Sequence, residues 1–160
     1  MTFTPKQYRE ALGRFTTGVA VVTCAGDGMG PVGVTVNSFS SLSLDPPLIL
    51  WCLDKGSDRS DVFSGCDDFV VNVLSDDQQD LSVRFAEVGQ HDFSGIRHED
   101  GVLGVPVLPD ALAVLECTVE ARHDGGDHMI YVGRVREMSS RDGDPLLYFR
   151  GRYRSIKALD

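Results

Sequence analysis

The sequence predicts a mainly β fold with flanking helices, in which antiparallel strands form a closed or half-open barrel. At least seven runs of apolar or alternating residues are separated by turn-forming residues, a spacing typical of antiparallel β proteins. Few segments have helical periodicity, whereas parallel strands would need a helical crossover between each pair. A hairpin signal, Asp-Gly-Gly-Asp at 124–127, joins the two longest runs at 111–123 and 128–139.

The chain begins with a predicted helix. Thr4 and Gln7 have the spacing of a capping box, and Pro5 suits the first helical position. Apolar residues then recur at helical spacing as far as Phe15, and Gly18 ends the pattern. These features predict a helix with Tyr8, Ala11, Leu12 and Phe15 on one face.

Two further helices are predicted in the middle of the chain. A short one covers residues 57–64 and is closed by Gly65. The other follows Ser75, with Gln78 completing a second capping box and Phe85 on its inner face. Both lie between strands and therefore flank the barrel.

The predicted strands are short apolar or alternating runs bounded by Gly, Pro, Asp or Ser. They are residues 19–24, 32–36, 38–44, 48–53, 69–74, 111–123, 128–139, 145–149 and 153–156. Residues 26–31 are expected to form a turn. Residues 87–109 are expected to form an irregular loop, long enough to indicate a functional lid or a subunit contact.

The composition excludes several classes of function. The formal net charge of −9 argues against a nucleic-acid surface, which needs clustered Lys and Arg. No signal-peptide pattern and no uncharged apolar stretch of about 20 residues occurs, so no membrane partner is expected. The four cysteines form no Cys-x-x-Cys pair, so no metal site is predicted; they are interpreted as reduced thiols of a cytoplasmic protein.

The most informative stretch covers residues 33–50. Six hydroxyl or amide side chains fall within the eleven residues 33–43, and a strongly apolar run follows. Buried polar groups are unfavourable unless they find hydrogen-bond partners. The pattern therefore indicates either a wall that binds a flat polar ligand or a solvent-facing Ser/Thr edge strand.

Five segments of the chain resemble the flavin reductase-like family, in the family's order. They are residues 15–23, 33–50, 53–57, 127–135 and 145–153. The resemblance covers nearly the whole chain and implies a single domain over residues 1–160. The implied fold is the FMN-binding split β-barrel, which is antiparallel and of Greek-key type. The implied activity is reduction of FMN or FAD by NADH or NADPH.

The resemblance also implies which residues contact the flavin ring. Four residues match the family's Thr-x-Asn-Ser motif: Thr35, Val36, Asn37 and Ser38. Ser40 and Ser41 alternate faces in a strand, so at most one of them reaches the ligand, and Ser41 is the candidate.

A second set of residues follows the apolar strand and leads into the short helix. Its members are Cys52, Leu53, Asp54, Lys55, Ser57 and Ser60. Free N–H groups at a helix start can bind an anion, and the resemblance implies that the flavin phosphate lies here. Lys55 is a stronger candidate for binding the phosphate than Arg59. The negative charges of Asp58 and Asp61 reduce the local positive potential around Arg59. An ordinary capped helix would show the same pattern.

The remaining candidates lie later in the chain. The resemblance places His128 near the nicotinamide, where it would position the ring, and no other catalytic residue is assigned. Phe85 matches a family position beside the flavin, although a core aromatic is the alternative. Tyr148 and Tyr153 could stack on a flat cofactor, and Arg150 could bind a phosphate.

The leading interpretation is an NAD(P)H-dependent flavin reductase. The resemblance implies a homodimer that supplies reduced flavin to a separate monooxygenase. One alternative is a non-catalytic flavin-binding or electron-carrier module whose nicotinamide face is blocked. Another is a split-barrel flavoprotein that holds its flavin tightly and reduces a different substrate directly.

Overall fold

A computed structural model describes residues 2–26, 28 and 30–156. Its strands are β1 (Thr17–Gly18), β2 (Ala20–Cys24), β3 (Val32–Val36), β4 (Ser40–Leu44), β5 (Pro47–Asp54), β6 (Asp68–Val73), β7 (Glu99–Asp100), β8 (Pro106–Val107), β9 (Ala113–Gly125), β10 (His128–Ser140), β11 (Leu147–Phe149) and β12 (Arg152–Arg154). Its helices are α1 (Pro5–Leu12), α2 (Ser60–Gly65) and α3 (Gln79–Ala86), and a 3₁₀ turn, Asp76–Gln78, precedes α3.

Seven strands form one antiparallel sheet in the order β3-β2-β6-β9-β10-β5-β4. The β9–β10 hairpin is its longest pair, and β5 lies on the other side of β10 with Asp54 opposite His128. Trp51 of β5 stacks on Tyr131 of β10 in the core, with ring centroids 4.6 Å apart. This arrangement confirms the predicted antiparallel barrel, and a smaller sheet, β1-β11-β12, lies beside it.

The predicted capping boxes before α1 and α3 are both present, and α3 buries Phe85 as predicted. Thr4 Oγ1 accepts a hydrogen bond from Gln7 N–H, and Gln7 Oε1 accepts one from Thr4 N–H, which confirms the first capping box. Ser75 N–H donates to Gln78 Oε1 at 3.1 Å in the second. The first helix is shorter than predicted: the helical pattern continues to Phe15, whereas α1 ends at Leu12. Helix α1 buries no residue within the described chain.

The segment at 87–109 is more ordered than the sequence indicates. It contains the short β7–β8 pair, which the sequence reading missed, and it buries Phe93 and Leu108. Buried Asn72 anchors it, because its Oδ1 accepts a hydrogen bond from Leu108 N–H at 2.8 Å. The loop covers part of the sheet. Its apolar residues are irregularly spaced, so neither helical nor strand periodicity could predict that they are buried.

The turn expected at 26–31 lies partly outside the described residues. Within the part of the chain that is described, no helix is long and apolar enough to cross a membrane.

Candidate functional site

A cavity of about 530 Å³ opens between β3, the end of β5 and α3. Its walls are residues 34–38, 52–54 and 56–59, together with Phe85, Ala86, Val88 and His128. The volume is in the range of small-molecule sites, and the walls combine apolar side chains with a few polar groups. Most of the residues predicted from the sequence therefore meet in one place.

The polar wall at 35–38 divides into fixed and free groups. Thr35 Oγ1 donates to Ser82 O of α3 at 2.7 Å. Ser38 Oγ donates to Cys52 O at 3.0 Å and accepts from Cys52 N–H at 2.9 Å. Among the described residues, the Asn37 amide has no hydrogen-bond partner. Asn37 is therefore the side chain of this wall most available to a ligand.

The positive charge on the cavity wall comes from Arg59. Its side chain is 4% exposed and forms an ion pair with Asp58, with Nη1 2.7 Å from Oδ1. Its Nη2 donates to Glu87 O, whereas its buried Nε has no partner in the described structure. A buried, unsatisfied donor beside a cavity is costly unless a ligand completes it. This orphaned donor fits an anionic group in the cavity.

Asp58 keeps this guanidinium in place. Desolvation by itself would raise the pKa of Asp58, but a hydrogen bond from Gly89 N–H at 2.7 Å and the charge of Arg59 outweigh it. The pKa of Asp58 therefore lies below its ordinary value. The carboxylate is ionised at neutral pH, and the ion pair persists.

Lys55, the stronger phosphate candidate from the sequence, lies off the cavity wall. Its Nζ donates to Asp124 Oδ2 and to Gly126 O, both at 2.6 Å, which ties it to the β9–β10 turn. Ser60 also lies off the wall, and its N–H is already bonded to Ser57 O at 3.0 Å. At least one of the N–H groups that were expected to be free at this helix start therefore already donates a hydrogen bond within the turn.

The aromatic and imidazole candidates occupy two sides of the cavity. Phe85 is fully buried and also lines the cavity, so its core and wall positions coincide. It packs directly on Gly33, where an added Cβ would lie 2.6 Å from the ring. His128 is partly exposed, and its Nδ1 lies 2.7 Å from Asp127 Oδ1. This contact orients the imidazole at the cavity mouth.

Cys52 contributes a neutral thiol. Burial raises the pKa of Cys52 above its ordinary value, so a reactive thiolate is not formed at neutral pH. Together with the buried Leu53 it forms an apolar floor.

Tyr148 and Tyr153 lie in a neighbouring cavity of about 190 Å³. It shares residues 35–37 and Ala86 with the larger cavity. The two rings pack edge to face with centroids 5.5 Å apart, and Tyr153 Oη is 2.8 Å from Ser82 Oγ. The tyrosines therefore extend the site beyond the main cavity.

Four predicted residues line neither cavity: Lys55 and Ser60, described above, and Ser41 and Arg150. Ser41 is exposed on β4 opposite Ile49, and Arg150 lies in the β11–β12 turn. Conversely, Arg59, Ala86 and Val88 line the main cavity although the sequence did not favour them as contacts. Arg59 carried a usable signal, an arginine shortly after the end of an apolar strand, but its acidic neighbours argued against it.

The sequence matches the family described as "Flavin reductase like domain" over residues 12–157. The chain belongs to the flavin reductase-like family. It is 50% identical to the FMN reductase (NADH) SmoA of Agrobacterium fabrum over 92% of this chain and 84% of that protein. It is 42% identical to HsaB, the reductase subunit of a flavin-dependent monooxygenase in Rhodococcus jostii, over 96% of this chain and 78% of that protein.

Solved structures support the same fold. The NADH:FAD oxidoreductase SgcE6 of Streptomyces globisporus, in complex with NAD and FAD fragments, is 34% identical and superposes with a TM-score of 0.90. That superposition covers 98% of this chain and 97% of SgcE6. The chain is thus a split-barrel member of the flavin reductase-like family.

A flavin fits the groups that this chain presents. The unpartnered Asn37 amide suits the carbonyl and nitrogen edge of an isoalloxazine ring, and the orphaned Arg59 Nε suits a phosphate. Phe85 and Leu53 supply apolar wall between these polar ends.

Proposed function

We propose that the chain is an NAD(P)H-dependent flavin reductase that reduces FMN or FAD and supplies the reduced flavin to a partner monooxygenase. The observation that carries this proposal is the single cavity that joins the 35–38 wall, Arg59 and His128. The relatives support it, because SmoA is an FMN reductase using NADH and HsaB is a monooxygenase reductase subunit.

The residues of this chain bind and orient the two reactants. Hydride acceptance is chemistry that the flavin supplies when bound, so the protein needs proximity and fixed dipoles more than an acid or base. Ser38 holds the two sides of the cavity together, and Asn37 offers hydrogen bonds to the ring edge. Arg59 binds the phosphate. His128, oriented by Asp127, positions the nicotinamide at the mouth.

We further propose that the protein is a homodimer. Helix α1 has no buried residue in the described part of the chain; its apolar Tyr8 and Leu12 are exposed, and so is Phe15 shortly after it. An isolated helix of this length is marginal in water, so it needs a packing partner. A second copy covering this apolar face supplies one.

We also propose that residues 1–160 act as one domain in the cytoplasm. The family match over residues 12–157 supports one domain. The four free cysteines support a reducing compartment, since exported proteins commonly oxidise them to disulfides.

A turnover assay that crosses FMN and FAD with NADH and NADPH tests the activity. We expect oxidation of the nicotinamide, followed at its own absorbance, to depend on added flavin and to saturate with it. Flavin binding without nicotinamide oxidation would refute the reductase and indicate a carrier module. A protein that stays yellow through dialysis and needs no added flavin would indicate a tightly held prosthetic group instead.

A further inference from the structure

Cys24 and Cys66 bring two thiols together inside the barrel, and they are here called the cysteine pair. Cys24 ends β2 and is fully buried, whereas Cys66 follows α2 and is half-buried. Strand β2 pairs with β6, with Thr23 opposite Val70, which brings the end of β2 alongside the start of β6. Both cysteines belong to one hydrophobic cluster, and the Cys24 thiol donates a hydrogen bond to the Cys66 sulfur.

The surroundings of Cys66 favour its thiolate. The hydrogen bond from Cys24 lowers the pKa of Cys66, and the charge of Arg122 acts in the same direction, against burial and the charge of Asp67. Arg122 is fixed beside the thiol, because its Nη2 donates to Cys66 O and its guanidinium carbon lies 5.6 Å from the centroid of the Tyr131 ring. Since the thiolate is the nucleophilic form of cysteine, Cys66 is the reactive member of the pair.

The other three cysteines have the opposite character. The hydrogen bond to Cys66, together with burial, raises the pKa of Cys24, so this thiol stays protonated. Burial raises the pKa of Cys52, and it raises the pKa of Cys117 to about 12. A half-buried nucleophilic thiol in contact with a second, protonated thiol is the arrangement of a redox-sensitive cysteine and its resolving partner.

We propose that the cysteine pair reacts with hydrogen peroxide and closes to a Cys24–Cys66 disulfide. The Cys66 thiolate attacks one peroxide oxygen: an S–O bond forms, the O–O bond breaks, and the hydroxide that leaves takes a proton from solvent to become water. The sulfur is oxidised to a sulfenic acid and the peroxide is reduced. The Cys24 sulfur then attacks this sulfur, the S–S bond forms, the S–O bond breaks, and the second hydroxide leaves with the Cys24 proton as water.

Flavin chemistry supplies the oxidant. Reduced flavin that is released into aerated solution reacts with O₂ to give oxidised flavin and hydrogen peroxide. This source of peroxide rests on the proposed function. Neither cysteine lines the main cavity, hereafter the flavin cavity, so the pair can be oxidised while flavin is bound.

Peptide mapping after treatment with hydrogen peroxide tests the disulfide. In the wild type, digested without reductant, we expect one cross-linked species that contains Cys24 and Cys66 and that dithiothreitol separates. Cys24→Ala should stop at the sulfenic acid of Cys66, which dimedone traps. Cys52→Ala is the matched control, because Cys52 is also half-buried, and it should leave the yield of the cross-link unchanged.

The rate at which iodoacetamide alkylates Cys66 tests the role of Arg122. Arg122→Gln keeps a donor for Cys66 O and removes the charge, so we expect alkylation at neutral pH to slow by about three- to tenfold. Arg136→Gln, at an exposed arginine of β10 that bonds Thr118, should leave the rate unchanged.

The added peroxide makes this test independent of turnover. If the wild type reduces no flavin, the proposed function fails, and the mapping still decides whether the cysteine pair is reactive. Four free thiols after peroxide treatment would overturn the proposal, and the pair would then be two inert core thiols. Oxidation of Cys52 before Cys66, or alkylation of both at equal rates, would overturn it as well.

Discussion

Ser38 extends the pairing of β4 with β5 through its side chain. Its hydroxyl bonds both the N–H and the C=O of Cys52, two residues beyond the Ser40–Leu50 pair, so one side chain replaces a rung of that ladder. Since the same segment forms the polar wall of the main cavity, the hydroxyl also holds that wall against β5. The family resemblance implied a flavin contact here, and the geometry adds a structural use.

Replacement of Ser38 by Ala should therefore lower both stability and flavin affinity. The backbone N–H and C=O of Cys52 would both lose their hydrogen bonds to the Ser38 hydroxyl. We expect the free energy of unfolding to fall by about 1–3 kcal/mol in urea denaturation. Ser40→Ala is the matched control, because the Ser40 hydroxyl is exposed and bonds only the neighbouring Ser41 O. Equal losses in the two variants would contradict this account.

Arg59 and Lys55 make a second comparison between single residues. Arg59 lines the cavity and Lys55 is tied to Asp124, so we expect Arg59→Ala to raise the KM for FMN about tenfold or more. The KM for riboflavin, which has no phosphate, should change much less. Lys55→Ala should leave the ratio of the two KM values unchanged. A larger effect from Lys55 would place the phosphate at the β9–β10 turn instead.

At the scale of elements, the contact between α3 and β3 determines the shape of the site. The Phe85 ring of α3 packs against Gly33 of β3, and Thr35 Oγ1 of β3 donates to Ser82 O of α3. The helix can approach the strand this closely because Gly33 has no side chain. One wall of the flavin cavity therefore depends on a glycine that the polar motif does not include.

Gly33→Ala should displace Phe85. The new Cβ would lie 2.6 Å from the ring, and such overpacking typically costs about 1–3 kcal/mol of stability. We also expect weaker flavin binding by fluorescence titration, because the ring must move. Gly65→Ala in α2 is the control, since no atom lies within 4 Å of its added Cβ and helix propensity favours alanine. If Gly65→Ala were destabilised and Gly33→Ala were not, the close contact between Gly33 and Phe85 would not be important for stability.

At the scale of the whole molecule, the unburied α1 is the observation on which the proposed homodimer rests. Phe15 is 78% exposed, and Tyr8 and Leu12 are exposed beside it. Apolar groups in such a cluster mark an interaction surface more often than chance exposure.

Leu12→Glu should dissociate the proposed homodimer. A charge in the centre of an apolar interface is desolvated without a partner, so we expect the sedimentation coefficient to fall to that of a monomer. Met138→Glu, at an exposed methionine near the end of β10, should leave the assembly unchanged. A wild-type protein that is already monomeric at micromolar concentration would refute the dimer.

Sequence reasoning predicted the features that depend on near neighbours. The capping boxes at Thr4 and Ser75, the 124–127 hairpin and the antiparallel pattern all follow from local turn chemistry and periodicity, and the structure confirms them. Sequence reasoning did not predict the burial of the 87–109 loop. That burial depends on the contact between Asn72 of β6 and Leu108, which are far apart in the chain.

The sequence by itself determined the barrel class and the polar segment at 35–38, because alternation, turn residues and side-chain type are properties of adjacent positions. Only the tertiary structure decided which cation reaches the cavity and where Arg150 lies. Lys55 and Arg59 are four residues apart in the chain, yet Lys55 pairs with Asp124 at the end of β9 and Arg59 lines the main cavity. The positions of these side chains depend on partners that are distant in the sequence, so local sequence patterns cannot predict them.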